Sequence, residues 1–322
     1  MTVGLAGFDL SDPTDRAVAR RFGEALRRRG LRTRVFGPGR PGPAARGVDT
    51  WHLHLFGRAP SGFLSAAERG RWTVATTLHL LLPDYLPFAG GPRTLERLAR
   101  LGPVAAVSDA QRREAERLAP SLRGRPLLVS ACGPSLPEAP RRRRKAGQTL
   151  LCSARLAPYK GIDVLLLAFA RLQEEVRGAR LQLAGRDKSG GALRSFARRL
   201  GLGRSVEFLG ELSPRALAER LAAADAFVLP SRRENFPIAL LEAMAAGKAC
   251  VATRAGGIPE LAGRAALLVP PGDPAALTRA LGRVLADPAL RRSLGLAARR
   301  RAARYSWDGA AAAYERLYRM RP

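Results

Sequence analysis

Lysine is nearly absent from this chain: Lys145, Lys160, Lys188 and Lys248 are the only four among 55 basic residues. Cysteine is as scarce. Cys132, Cys152 and Cys250 show neither disulfide nor metal-ligand spacing, which excludes a disulfide-stapled scaffold and fits a reducing cytosol. The longest purely apolar run, residues 164–170, is far short of the roughly 20 residues a membrane-spanning helix requires. The first residues carry no basic head and are interrupted by Asp9 and Asp12, so no signal peptide is expected. Aromatic residues make up only 6%. With basic residues dispersed over many helices and no RNA-binding signature, nucleic acid is not the expected partner.

What is there is a basic globular composition. The net charge of +28 favours anionic partners such as phosphorylated substrates or anionic lipid, although much of the arginine simply decorates solvated helix faces. A chain of 322 residues with 46% apolar content fills about two domains. Its 33 glycines and 24 prolines fit many short loops between strands and helices.

The densest signal is residues 231–247. The apolar run 226–229 before it reads as a buried parallel strand. Pro237 fits the first turn of a helix, where its missing N–H is harmless, and Gly247 stops that helix. Glu234 therefore lies in the loop at the carboxyl end of a strand. Glu242 lies inside the following helix, roughly 10 Å away. That separation is too long for the paired carboxylates of a retaining glycosidase, which need about 5 Å. It suits two acids gripping different parts of one long ligand, with helix N–H groups between them facing an anion.

Glu234, Glu242 and the Ala-Met-Ala-Ala-Gly that follows resemble the E-x7-E signature of retaining, nucleotide-sugar-dependent glycosyltransferases of family 4. The resemblance implies the GT-B fold, two Rossmann-like α/β domains facing across a cleft. It implies that Glu234 reaches the donor sugar and that Glu242 binds the nucleotide ribose. Asn235, Phe236, Pro237 and Ile238 would meet the diphosphate. GT-B members are usually metal-independent, and no Asp-x-Asp pair occurs here. No metal and no cofactor is expected beyond the nucleoside diphosphate sugar, which is the substrate.

In the first half, residues 3–7, 31–36, 50–56, 72–78, 104–108 and 127–130 read as strands. Residues 14–29 read as a helix with Ala17, Val18, Phe22, Ala25 and Leu26 on one face and arginines around the rest. Another helix follows at 109–118. Alternation in 50–56 places His52 and His54 on one strand face and Leu53 and Leu55 on the other. Residues 76–83 resemble the family's T-x-H-D segment, with Leu80 in place of the acid, which implies that His79 lies near the reacting sugar. Residues 8–12 replace the family's Gly-Gly loop. Residues 84–91, rich in proline and aromatics, are a candidate for the acceptor side. Residues 137–145 end in five consecutive basic residues and read as a solvated interdomain linker.

The second half has a clearer βα rhythm. Strand 149–153 turns into helix 162–175 through a segment that resembles the family's G-R-L-x-x-x-K-G, with Ala154 for the first glycine. Arg155 and Lys160, at this strand–helix turn, can converge on a diphosphate beyond the sheet edge. Arginine offers a planar fork and lysine a compact charge, and both are assigned to stabilising the departing nucleoside diphosphate. Cations at a helix start are electrostatically unfavourable unless an anion faces them. Strand 180–184 ends at Gly185, which lets a nucleotide approach the backbone. Strand 206–209 ends at Leu209, where the resemblance places the base. Residues 254–260 resemble the family's G-G-x-x-E, helices follow at 274–286 and 288–304, and 307–318 matches the helix that crosses back to the first domain.

These observations give an acceptor-side domain over 1–140, a nucleotide-sugar-binding domain over 141–305 and a returning helix over 306–322. The expected activity is retaining, metal-independent transfer of a hexose-type sugar from a UDP- or GDP-sugar to an unidentified saccharide, lipid or small metabolite. His79, Arg155, Lys160 and Glu234 are the catalytic candidates. Gly185, Leu209, Asn235, Phe236, Pro237, Ile238 and Glu242 are the donor-binding ones. The expected location is the cytoplasm. The alternatives are a glycolipid glycosyltransferase at the inner membrane face, with helix 14–29 resting on anionic lipid, or a non-catalytic GT-B scaffold binding anionic lipid or nucleic acid.

Overall fold

Two six-stranded, all-parallel sheets organise the chain. The structure is a computed structural model that describes residues 1–6, 13–36, 46–55, 62–79, 92–123, 128–129, 132–137 and 148–319. The chain divides into two units, Met1–Ser135 with Tyr305–Pro322, and Leu136–Arg304. The expected boundaries were 140/141, from the linker composition, and 305/306, from the resemblance of the returning helix. Among the described residues no helix is long and apolar enough to cross a membrane.

The first unit contains β1 (Thr2–Ala6), α1 (Pro13–Arg28), β2 (Arg32–Val35), β3 (Thr50–Leu55), α2 (Phe63–Arg69), β4 (Val74–Leu78), α3 (Pro92–Leu101), β5 (Val104–Ala106), α4 (Asp109–Leu118) and β6 (Leu128–Val129). Its sheet order is β2-β1-β3-β4-β5-β6. Helices α2 and α3 were not expected from the sequence. Both are short, but α3 buries Leu95, Leu98, Ala99 and Leu101 at helical spacing, a stripe that was there to be read. Trp51, Leu53, Phe63, Leu78 and Leu95 lie at the centre of the core.

Helix α1 turns its apolar face inward, with Val18, Phe22, Ala25 and Leu26 buried. Its arginines are largely engaged within the unit. Arg27 donates to Thr33 (3.0 Å), Arg21 to the Ser135 carbonyl (3.4 Å), and Arg28 pairs with Asp308 (2.8 Å). Arg29, just beyond the helix, pairs with Glu315 (2.7 Å). The last two acids belong to the helix formed by Trp307–Arg319.

The second unit continues with β7 (Thr149–Ser153), α5 (Ile162–Glu175), β8 (Arg180–Ala184), α6 (Ala192–Arg199), β9 (Val206–Gly210), α7 (Pro214–Ala223), β10 (Ala226–Leu229), α8 (Ile238–Ala245), β11 (Ala249–Thr253), α9 (Ile258–Ala262), β12 (Leu267–Val269), α10 (Pro274–Ala286) and α11 (Pro288–Ala302). Then α12 (Trp307–Arg319) rejoins the first unit. One recipe starts three of these helices. Ser213, Asp273 and Asp287 each cap with a side-chain oxygen that accepts from a backbone N–H of the first turn, and each is followed by proline at the first helical position, where its fixed φ is already helical. Helix α6, with Leu193, Phe196 and Leu200 packed on the core, was also unexpected.

Helix α8 ends in a Schellman motif. The Lys248 N–H reaches the Ala243 carbonyl (3.0 Å) and the Gly247 N–H the Met244 carbonyl (2.9 Å), with Gly247 at φ +69°, a conformation glycine adopts without strain. Pro237 caps this helix rather than forming its first turn. The sheet order β9-β8-β7-β10-β11-β12 runs third-second-first-fourth-fifth-sixth in chain order, the arrangement of dinucleotide-binding sheets. The order in which strands are added reverses between β7 and β10. In such sheets a ligand binds in the crevice beyond the carboxyl ends of the strands flanking that reversal.

Candidate functional site

The loops after β7 and β10 meet at that reversal. After β7 the chain makes a 3₁₀ turn at Pro158–Lys160, and Gly161 in the left-handed region (φ +64°) starts α5. After β10 it carries Ser231 to Pro237 into α8. Lys160 Nζ bonds Glu234 Oε2 directly, and Ser231 Oγ donates to the same oxygen at 3.4 Å. Both members of the ion pair are mostly buried, with side-chain exposures of 15% and 10%. An ion pair this secluded interacts more strongly than one in bulk water. The anion that makes a cation tolerable at the start of α5 is therefore within the protein.

Arg155, in contrast, is exposed, and its Nη1 reaches the Tyr159 hydroxyl at 3.5 Å. Lys160 Nζ also lies 5.4 Å from the centroid of the Tyr159 ring. Glu242 is the fifth residue of α8 and half-buried. Asn235 and Pro237 are buried, and Phe236 and Ile238 half-buried. The expected donor residues thus fall on the loops and helix starts at one edge of one sheet. Among the charged ones, Lys160 contacts Glu234 directly.

Backbone-to-backbone approaches set this edge. Gly256, after β11, sits at φ +49°, and a side-chain Cβ there would lie 1.6 Å from the Glu234 carbonyl oxygen; the next N–H, of Gly257, donates to that oxygen at 3.2 Å. Gly185 sits at φ +132°, and a Cβ would lie 1.9 Å from the Ala154 carbonyl oxygen. Its N–H donates to the Gly210 carbonyl (2.7 Å), next to the half-buried Leu209. The sequence reading gave Gly185 to the approach of a nucleotide. The structure supplies a different reason: the chain's own backbone after β7 occupies the space a side chain would need. Thr253 Oγ1 donates to the Ser231 carbonyl at 2.5 Å, so the loops after β10 and β11 are joined as well.

Cys152 and Cys250 are not nucleophiles here. Burial pushes the Cys152 thiol up to about 12 and raises Cys250 further. Among the described residues no three His, Cys, Asp or Glu side chains converge as a metal-binding group.

His79 lies in the first unit, directly after β4, half-buried. Its Nε2 is 3.0 Å from His54 Nδ1 with the rings stacked at 5.3 Å, and His54 stacks on His52 at 4.0 Å. His52 Nδ1 is 2.5 Å from the Tyr318 hydroxyl, and its Nε2 is 2.7 Å from Thr77 Oγ1, which bonds the Tyr314 hydroxyl at 2.9 Å. Desolvation lowers all three histidines, His79 to about 3, with the neighbouring histidines adding a smaller push on His52 and His54. At neutral pH this is a column of neutral imidazoles pinned by two tyrosines of α12. His52 and His54 were expected on one strand face. The tyrosines were not anticipated, since nothing in the local sequence links residues 266 positions apart. The candidate acceptor loop, 84–91, and the residues replacing the Gly-Gly loop, 8–12, lie outside the described residues.

Residues 138–301 match the family model described as glycosyl transferases group 1. The MMP alpha-(1->4)-mannosyltransferase of Mycolicibacterium hassiacum is 38% identical over 183 residues, 56% of this chain and 44% of that protein. The D-inositol 3-phosphate glycosyltransferase of Streptomyces bingchenggensis is 31% identical over 301 residues, 84% of this chain and 66% of that protein. Among solved structures, Anabaena Alr3699/HepE in complex with UDP and glucose superposes with a TM-score of 0.76 at 18% identity, covering 98% of both chains. The matches to the first curated relatives span less than half of those proteins' own length.

Proposed function

Because the chain belongs to the group 1 glycosyl transferase family and has the GT-B architecture of two parallel-sheet Rossmann-like domains, we propose that it transfers a hexose-type sugar from a nucleoside diphosphate sugar to an acceptor. Transfer would retain configuration at the anomeric carbon. The observation that carries this reading is the Lys160–Glu234 pair at the strand-order reversal of the second unit's sheet.

Bond cleavage at the anomeric carbon leaves negative charge on the diphosphate. In this reading Lys160 shifts from sharing its charge with Glu234 alone to sharing it with the phosphate oxygens, and Arg155 adds a second, solvent-facing cation. Prepositioned charge of this kind is worth several kcal/mol in other enzymes. Glu234 receives donor hydroxyls on its remaining lone pairs while still orienting Lys160. Glu242 takes the ribose, and the backbone at Asn235 to Ile238 faces the diphosphate. The backbone near Gly185 and Leu209 holds the base. His79, neutral at working pH, is assigned to a sugar hydroxyl by the resemblance of its segment. No covalent glycosyl intermediate is expected, and no metal ion is required.

The name of one relative suggests mannose as the sugar and that of another a phosphate-bearing acceptor, and UDP with glucose in a structural neighbour suggests a uridine donor. The +28 charge is consistent with an anionic acceptor. Lipid docking through α1 is the less favoured reading, because Arg21, Arg27 and Arg28 engage partners within the unit. The test is a nucleotide-release assay across UDP-, GDP-, ADP- and TDP-sugars, with inositol phosphate and simple saccharides as acceptors. Release from one donor class supports the reading, while no release and no binding with any of them contradicts it.

A further inference from the structure

Arg232 and Asp163 have no place in the donor chemistry above, yet they sit on the two loops that supply it. We propose that they form a positioning clamp that holds Lys160 and Glu234 in their working geometry. The inference rests on the reading of that pair as the diphosphate end of a donor site.

Arg232 presents both ends of its guanidinium to Asp163, Nη1 to Oδ1 at 2.7 Å and Nη2 to Oδ2 at 2.6 Å. Nη1 also donates to the Pro158 carbonyl at 2.8 Å. From the other side, the backbone N–H groups of Arg232 and Arg233 both donate to the Tyr159 carbonyl, at 2.8 and 3.3 Å. The 3₁₀ turn at Pro158–Lys160 is thus gripped by main chain and side chain of one residue. Lys160 is the last residue of the gripped turn, and Glu234 follows Arg232 by two. Gly161 completes the fit: a Cβ there would lie 2.2 Å from the Pro230 carbonyl oxygen, so loop and turn abut with no side chain between them.

Stability does not account for this arrangement. The guanidinium and carboxylate are 38% and 43% exposed, and pairs that open contribute little to folding. What a bidentate arginine fork adds is angular definition. The hydrogen bond from Arg232 holds the Asp163 carboxyl below the usual carboxylate range, so the fork stays charged on both sides at neutral pH. Asp163 also suits the first turn of α5 electrostatically, which is the merely structural role the test must separate.

The experiment is a double-mutant cycle on donor turnover, with kcat, KM and Tm measured for wild type, Arg232→Ala, Lys160→Ala and the double variant, and with Asp163→Asn and Arg232→Lys as controls. The clamp predicts that Arg232→Ala lowers kcat about tenfold, the scale of a small misplacement, with KM and Tm nearly unchanged. It predicts that Arg232→Lys recovers part of the loss, and that the double variant is no worse than Lys160→Ala alone. Multiplying losses in the double variant, or a large Tm drop that accounts for the rate, would overturn it. If Lys160→Ala loses activity while Arg232→Ala does not, the clamp alone falls. If Lys160→Ala keeps full activity, the donor-site reading falls and takes the clamp with it.

Discussion

The two sheets share a plan and differ in what they place at their carboxyl edges. In the second unit the reversal between β7 and β10 carries an ion pair, glycines pressed against neighbouring carbonyls and a cross-loop guanidinium. In the first, order β2-β1-β3-β4-β5-β6, the edge after β4 ends a column of neutral, buried imidazoles. One edge is charged and stiffened by backbone contact; the other is uncharged and set by side-chain hydrogen bonds.

The sharpest way to break this comparison is to truncate one polar side chain at each edge. Lys160→Ala is expected to lower kcat/KM by on the order of 10²-fold or more, measured by nucleotide release. His79→Ala is expected to lower it by about tenfold, the scale of one hydrogen bond. Equal losses would erase the distinction drawn between the edges. Next in size is Gly256→Ala. Its Cβ cannot coexist with the Glu234 carbonyl at 1.6 Å, so it should destabilise the second unit by about 2–3 kcal/mol in denaturant unfolding and weaken nucleotide binding together. Gly190→Ala, where a Cβ meets nothing within 4 Å, should cost only the left-handed backbone penalty, about 1–2 kcal/mol.

The histidine column gives a smaller, signed effect. His79 drops from 6.5 to about 3 on folding, and His52 and His54 fall well below 6.5. Below pH 6.5 the unfolded chain takes up protons that the folded one refuses. The column's contribution is therefore fully present above 6.5 and is lost as pH falls towards 3. A plot of Tm against pH should fall more steeply below 6.5 for wild type than for His54→Asn. Parallel curves would contradict a neutral buried column. The smallest effect is expected at Arg28→Ala. Its pair with Asp308 is 56% and 64% exposed, so the loss should stay within about 1 kcal/mol.

Much of the second unit was legible because its signals are local. Ser-Pro and Asp-Pro starts, the glycine after α8, and apolar runs between them are read within a few residues. The family string around Glu234 and Glu242 pointed to the strand–helix step that carries the Lys160–Glu234 contact. What the sequence could not show is pairing at a distance. Glu234 was read as a group for the sugar and Lys160 as one for the phosphate, yet 74 positions apart they bond each other. Arg232 and Asp163, 69 positions apart, drew no individual reading for the same reason. In the first unit the seven-residue α2 was passed over because short helices give weak periodicity, whereas the stripe of α3 was legible and missed. The tyrosines behind His52 come from the far end of the chain.

The claim beneath all of this is that the edge beyond β7 and β10 grips a pyrophosphate. Calorimetric titration of UDP and GDP into wild type and Arg155→Ala tests it most directly. The account predicts saturable binding of one nucleotide to wild type, weakened about tenfold or more in the variant. Identical curves for both proteins with every nucleotide would contradict it.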